Sequence, residues 1–393
     1  MLKLYNTLTR KKEIFRINQK GKGFPWKTSW YQLKDTMLLK LKGNTLKQLI
    51  KLGIKKAGNL NKLCKILNLS YPSFLYALRG QCELVSVNKL RKLTFYLKIN
   101  YDNLNDNISE IRRGNIASIK NPKFPFNLAT KEGAIVLGNI VSDGSIYIDK
   151  KAQNIKRTKY SAGTKEEADR FIKNINEIFG HVHFQKEKIR NSIYLKIGSS
   201  VIGDSLVKVG APVGNKTRLD PPLPWLIKNA SDNLKINYLR AVFDDEGSIG
   251  TIGSPFVTLS RSVYINNHLS HYQKEVLQKI KPFCKERKFP TGHIIKSIQI
   301  KKAVFLAPLT KNLLLNIAPR VLLDESNLLS NLGIENRIRN SVLSFTQKGN
   351  VSLTSELRIL RKKSLLEFYK KINFGISLKK MKLKNTLSNK TWL

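Results

Sequence analysis

The sequence predicts an α+β protein of two pseudo-symmetric αββαββα halves, preceded by an all-α domain. Three observations carry that expectation. Residues 136–146, Val-Leu-Gly-Asn-Ile-Val-Ser-Asp-Gly-Ser-Ile, recur in form at 239–249 as Leu-Arg-Ala-Val-Phe-Asp-Asp-Glu-Gly-Ser-Ile. The chain after the first copy alternates with the periods of strand, strand, helix, strand, strand and helix. Short amphipathic helices broken at Asn68 and Gly80 come before both copies.

The repeat is the most informative feature. Each copy is an apolar helix running into an acid, then Gly, Ser and Ile, and Glu246 stands 103 positions after Asp143. Gly247 reads as the stop of its helix, with a strand beginning at once. An acid at a helix C-terminus works against the helix dipole, which suggests a cation nearby. Taken singly, either copy reads equally as a solvated helix end. The small residues match as well: Gly138 falls with Ala241, and Ser142 with Asp245 four positions later. Positions i and i+4 share one helix face. Small residues there let two helices approach closely and bring the two acids to one end.

Composition limits the partners. Seventy-one Lys and Arg face 27 acidic residues in 393, a formal net charge of +44. Such a field favours phosphate backbone and is self-repelling without a polyanion. A Lys- and Asn-rich composition contributes to this charge without accounting for it. No apolar run approaches the ~18 residues of a membrane span, and no signal peptide is evident. The cysteines Cys64, Cys82 and Cys284 follow neither a metal-ligand spacing nor a disulfide framework. A soluble, reduced, cytoplasmic and nucleoid-associated protein is expected.

In chain order, 1–43 reads as a basic lead-in with Phe24, Trp26, Trp30 and Tyr31, either an arm along a polyanion or a loosely packed segment. Its first fourteen residues resemble the opening of cysteinyl-tRNA synthetases. The zinc-binding and nucleotide-binding motifs of that family do not follow, so synthetase activity is not implied. Coincidence, and a frame continuing from a host gene into a mobile element, both remain open. In 44–105, Leu60, Leu63 and Leu67 share one helix face, Asn68 stands at a turn needing φ > 0, and Pro72 opens the next helix. This stretch resembles Cro/repressor-type helix-turn-helix domains, which implies that Tyr71, Ser73, Tyr76 and Arg79 face DNA. An ordinary helical bundle is the alternative.

Residues 106–130 read as a linker. The first half, 131–220, predicts a helix at 131–143, strands at 145–148 and 157–162, a helix at 165–179, strands at 181–185 and 192–197, and a helix at 201–209. His181 and His183 would share a strand face, but zinc would need further ligands, so they are read as structural or phosphate-contacting. The second half, 221–320, repeats the pattern less cleanly, with a strand at 256–260, a long basic helix at 265–288 and a strand at 294–300. Residues 321–393 read as a basic helical extension.

The two motif copies resemble the LAGLIDADG, or DOD-type, homing endonucleases in their double-motif, single-chain form. That resemblance implies a monomeric, site-specific endonuclease that hydrolyses phosphodiester bonds on both strands of double-stranded DNA. It implies Asp143 and Glu246 as catalytic metal ligands, with the backbone carbonyls of Gly144 and Gly247 as further metal ligands. Oxygen donors of this kind suit Mg²⁺, with Mn²⁺ as a substitute. It also implies Lys216, in Gly214-Asn-Lys216-Thr-Arg218, beside the attacking water; a phosphate-contacting or surface lysine is the alternative. No second counterpart of Lys216 is evident. Strands carrying Arg157, Lys159, Lys186, Lys188, Arg190 and Lys196 would lie against DNA. Two alternatives stay open: a non-catalytic DNA-binding regulator with a core of this kind, and an intron-RNA maturase. Self-splicing is not expected, since neither end carries the residues it uses.

Overall fold

The computed structural model describes residues 3–6, 11–14 and 26–388, except 114–115, 153, 251–253, 267–268, 289–293, 301–311, 313 and 347–348. Lys3–Asn6 (β1) and Lys11–Ile14 (β2) pair antiparallel; Phe24 and the rest of 15–25 lie outside the described residues. Lys27–Thr28 (β3) and Leu38–Leu41 (β4) lead into Thr45–Ala57 (α1), Leu60–Leu67 (α2), Tyr71–Leu78 (α3), Leu84–Ser86 (β5) and Val87–Leu97 (α4). The turn forms as its residues dictate. Asn59 caps α2 by accepting the Lys62 N–H at 2.9 Å, and Asn68 closes it with φ of 48°. Leu63, Cys64 and Phe74 are buried beneath.

Two expectations fail here. Trp30 belongs neither to an arm nor to a loose segment: it is fully buried, edge-on to the Tyr31 and Tyr101 rings. The linker expected at 106–130 is instead Ile108–Arg113 (β6), Ile116–Lys120 (β7) and Phe126–Asn127 (β8). With β4 and β5 they make the helical part an α+β unit rather than an all-α one, and a strand at His181–Val182 adds to the β7 edge. Irregularities in the β4–β6 and β6–β7 pairings put the buried Ile108 and Ile111 three residues apart, which breaks the period-2 signal. One continuous core runs from Trp30 to Leu383, so this unit is not a detachable appendage.

The first half follows its sequence closely. Lys131–Val141 (α5), Gly144–Asp149 (β9), Ile155–Ala162 (β10), Lys165–Phe179 (α6), His181–Val182 (β11), Phe184–Ile189 (β12), Ser192–Ile197 (β13) and Ser200–Lys208 (α7) give a sheet ordered β12-β13-β10-β9. The stretch 181–185 is not one strand. It divides between two sheets, leaving His181 and His183 exposed on either side of Val182.

Lys216–Leu219 (α8) and Trp225–Lys228 (α9) lead to Asp232–Glu246 (α10), Gly247–Gly250 (β14) and Phe256–Tyr264 (β15). His271–Ile280 (α11), Lys285–Lys288 (β16) and Ile294–Gln299 (β17) follow, then Arg320–Asn331 (α12), Arg337–Thr346 (β18), Val351–Ile359 (β19), Lys362–Lys371 (α13) and Ser377–Ser388 (α14). The sheet is ordered β14-β15-β19-β18-β17-β16. Its first four strands repeat the first half in register. Gly144 faces Tyr160 and Tyr160 faces Leu195; likewise Gly247 faces Leu259 and Leu259 faces Leu357. The second half therefore extends past 320, and the expected C-terminal extension supplies two of its central strands. The long helix expected at 265–288 ends at Ile280, with β16 after it.

The halves meet along α5 and α10. A Cβ on Gly138 would lie 2.8 Å from both the Ala241 Cβ and the Tyr238 carbonyl oxygen, so only glycine permits this approach. Gly247 closes α10 as expected, with extended backbone and φ of −72°. It is required because a Cβ there would strike the Phe243 carbonyl, as one on Gly144 would meet Asn139 O at 2.8 Å. Replacing Gly138 with Val should destabilise the protein by about 1–3 kcal/mol through overpacking. Chemical denaturation measures this, and an unchanged midpoint would show that the helices do not touch there.

Candidate active site

The two motif helices end side by side. Ser142 closes α5, donating its hydroxyl to Gly138 O at 2.7 Å, and Asp143 follows in the turn. Glu246 is the last residue of α10. Each helix end exposes orphan carbonyls and the negative end of a dipole, yet a carboxylate sits at each. Two lysines offset this. Lys216 Nζ donates to Val141 O and Gly144 O at 2.8 Å each, to Ile140 O at 3.1 Å, and to Ser142 O. It is thus neither a surface lysine nor one held out towards phosphate: it caps α5.

Lys379 does the same for α10. Its Nζ donates to Gly247 O at 2.9 Å, Phe243 O at 3.4 Å and Asp244 O. This is the counterpart that the sequence reading did not find. Lys216 stands eight residues past the end of α7 and Lys379 eight past the end of α13. Between them the backbone turns left-handed at matching places, φ 102° at Gly210 and 54° at Asn373. That spacing from a helix end was the available signal, hidden while α13 was unassigned. Asp244, fully buried, holds the segment before Lys379 by accepting the Gly375 N–H at 2.8 Å and the Ile376 N–H at 3.2 Å; Arg170 pairs with it at 2.7 Å.

The halves differ around their acids. Arg261 on β15 donates to Glu246 at 2.5 Å and to Glu325 of α12 at 2.9 Å, and Tyr238 donates to Glu325 at 3.1 Å. By strand register, Ala162 holds the corresponding place in the first half, so Asp143 has no such guanidinium. Another polar group crosses between halves: Asp245 accepts the Tyr160 hydroxyl at 2.8 Å and the Asn139 amide at 3.0 Å. A cavity of about 280 Å³ opens between Lys216, Glu246, Arg261 and Pro221.

Electrostatics mark these groups as crowded. Burial pushes Glu246 up to about 7; Asp143 nearby adds to this, and Arg261 and Lys216 oppose it. Asp143 reaches solvent, yet the protein around it strips enough hydration to raise its carboxyl, against the pull of Lys216. Burial brings Lys216 down to about 8, with Arg261 adding to the fall. Asp245 is also pushed up to about 7 by burial. Two hard-oxygen acids that resist being charged together form a donor set suited to a divalent cation. The carbonyls of Gly144 and Gly247 already accept the two lysines. Among the described residues no group of three His, Cys, Asp or Glu is placed to hold a metal, so ligands beyond the two acids would be water and substrate oxygens.

The remaining expected residues spread over two surfaces. Arg157, Lys159 and Lys196 share the face of the first sheet away from α5 and α6, although Arg157 pairs with Asp149 and Lys196 with Glu187. Lys186 and Lys188 lie on the opposite face, opposite Leu195 and Ile193, and Arg190 sits in the β12–β13 turn with φ of 55°. Tyr71 and Tyr76 on α3 and Arg79 at its C-cap are exposed, while Ser73 accepts Lys89 Nζ at 2.6 Å. No helix among the described residues is long and apolar enough to cross a membrane.

No family model and no curated protein matches the chain. Among solved structures it is similar to I-DmoI in complex with DNA and Mn, at 16% identity and a TM-score of 0.33, covering 63% of this chain and 97% of that one. It is also similar to full-length WhiA from Thermatoga maritima, at 13% identity and a TM-score of 0.30, covering 66% of this chain and 63% of that one. For the N-terminal LAGLIDADG domain of WhiA the identity is 12% and the TM-score 0.30, covering 66% of this chain and 89% of that one.

Two outcomes check this geometry. Carboxyls raised on folding hold their protons more tightly in the native state, so stability is greatest below their ordinary range and falls as pH rises through the raised values. For the metal-free protein, melting temperature should fall between pH 4.5 and about 7, and fall less in Glu246→Gln. A flat profile in both proteins contradicts the crowding. Arg261→Met would leave the fully buried Glu325 without this countercharge and should lower stability by about 3–5 kcal/mol in denaturant titration. A loss of under about 1 kcal/mol, the range of exposed pairs, would mean the network is solvated.

Proposed function

We propose that the chain is a site-specific DNA endonuclease that hydrolyses a phosphodiester bond on each strand with divalent metal, Mg²⁺ by preference. The observation that carries this reading is the pair of carboxylates, Asp143 and Glu246, brought to one place from two helix ends, each beside a helix-capping lysine. A net charge of +44 supplies the affinity for a polyanion. The α2–α3 pair adds contacts through Tyr71, Tyr76 and Arg79 at a flank of the site.

In this reading Asp143 and Glu246 act as carboxylates that hold metal against the scissile phosphates. The bound ion would polarise the phosphoryl oxygens and activate water. Lys216 and Lys379 keep two ammonium charges fixed where negative charge accumulates in the transition state. They need no reorganisation, because backbone carbonyls already orient both. The α5–α10 contact fixes the separation of the acids, and with it the offset between the two cuts.

One observation favours a second reading, a DNA-binding regulator without cleavage. Arg261 pairs with Glu246 and so supplies a countercharge from within the protein. Asp143→Asn and Glu246→Gln distinguish the two. Each should reduce cleavage by at least about a hundredfold, the scale of lost electrostatic stabilisation, and leave DNA affinity within about tenfold. The assay is cleavage of a plasmid library with Mg²⁺, alongside filter binding. Binding by the unaltered chain with no cleavage under any divalent metal would select the regulator; full cutting by both variants would remove these acids from the site.

A further inference from the structure

The two sheets differ in width. In the first half the chain passes from β10 to α6 through Gly163 and Thr164 alone. In the second, residues 265–319 intervene between β15 and α12 and carry α11, β16 and β17. The insertion has its own small core, in which Leu277, Ile280 and Cys284 pack with Leu343, Phe345 and Leu353. Its hairpin continues the existing sheet, since β17 pairs with β18.

Register fixes which side of the hairpin is covered. Residues directly opposite in an antiparallel pair share a face. Ile298 faces Leu343 and Lys296 faces Phe345, so those residues lie on the side packed against α11. Glu286, opposite Lys296, and Lys288, opposite Ile294, share that side. Lys285, opposite Ser297, and Arg287, opposite Ile295, lie on the other. That second side continues Ser344 and Thr346 of β18, then Ser352 and Thr354 of β19, then Ser262 of β15. Short hydroxyl side chains pair with base edges of any kind, and a basic margin suits phosphate.

We propose that this uncovered face of β16 and β17 is an additional DNA-contacting surface, lengthening the recognised sequence on the second-half flank. The proposal rests on the endonuclease reading for its partner, duplex DNA. Charge complementarity and continuity with the sheet whose edge strand β14 follows Glu246 single out that partner. Reach follows from strand count. β12 is three strands from the acid-bearing edge β9, whereas β16 is five from β14. At ~4.8 Å per strand the second sheet extends ~10 Å further, which corresponds to ~3 base pairs at ~3.4 Å each.

The test uses two variants of the full chain with the same charge change on opposite faces of one strand, Lys285→Glu and Lys288→Glu. Both side chains are exposed, and thermal melting checks that both variants fold. The probe is duplex DNA selected from a randomised pool by the unaltered chain. Lys285→Glu should lose hydroxyl-radical protection over the outermost ~3 base pairs of one flank and lower the salt-dependence slope by about 1. Lys288→Glu should keep both within error, and the cut positions should stay fixed in both. An intact footprint in Lys285→Glu, or an equal loss in the two variants, overturns the surface assigned here while leaving the endonuclease reading standing. Failure of the unaltered chain to select or protect any duplex overturns that reading instead.

Discussion

The approach of α5 to α10 at Gly138 is the constraint on which the rest depends. Only a residue without a side chain lets the Tyr238 backbone and the Ala241 methyl come so near. That closeness brings two helix C-termini together, and with them two dipole ends and two carboxylates. Left alone, four sources of negative potential would gather at one point. The fold meets this with Lys216 and Lys379, each drawn from a segment eight residues past a distant helix, and each bonded to the carbonyls its helix leaves open. Site and interface are thus one feature: the same contact that joins the halves positions the acids.

Pseudo-symmetry is kept in the backbone and broken in the side chains. Registers around β9–β10 and β14–β15 repeat, and the lysine caps repeat with them. Arg261 and its buried partner Glu325 have no first-half counterpart, because Ala162 stands in the arginine's place. Among the described residues Asp143 is consequently the acid without an ion-paired cation, and Glu246 the one whose charge is already partly compensated. The second half also carries an insertion that adds two strands to its sheet, so the molecule presents unlike surfaces on either side of a nearly symmetric centre. Under the proposed function, an asymmetric DNA sequence is the complement of such a surface.

Much of this was legible in the sequence, unevenly. The motif copies, the small residues at Gly138 and Ala241, and the helices α5, α6 and α7 could be read because connections there are short and each element keeps a clean period. Asn68 announced its turn, since few other residues adopt φ of 48° readily. The second half misled because its insertion itself runs helix, strand, strand, and so mimicked the expected continuation. The true strands β18 and β19 were then absorbed into a supposed tail, and Lys379 went unrecognised with them. The N-terminal sheet was missed because pairing irregularities set Ile108 and Ile111 out of alternation. Arg261 had no signal at all: nothing local in β15 distinguishes a buried arginine bonded to two acids from an exposed one.

In the proposed function Asp143 and Glu246 form one metal-binding centre at the joined helix ends. Anomalous diffraction from Mn²⁺ in crystals of the chain bound to a duplex it selects tests that claim most directly. The account predicts anomalous peaks within bonding distance of both carboxylates, with phosphate oxygens on their far side and Lys216 and Lys379 still capping their helices. Crystals with DNA in place but no peak at either acid would contradict it.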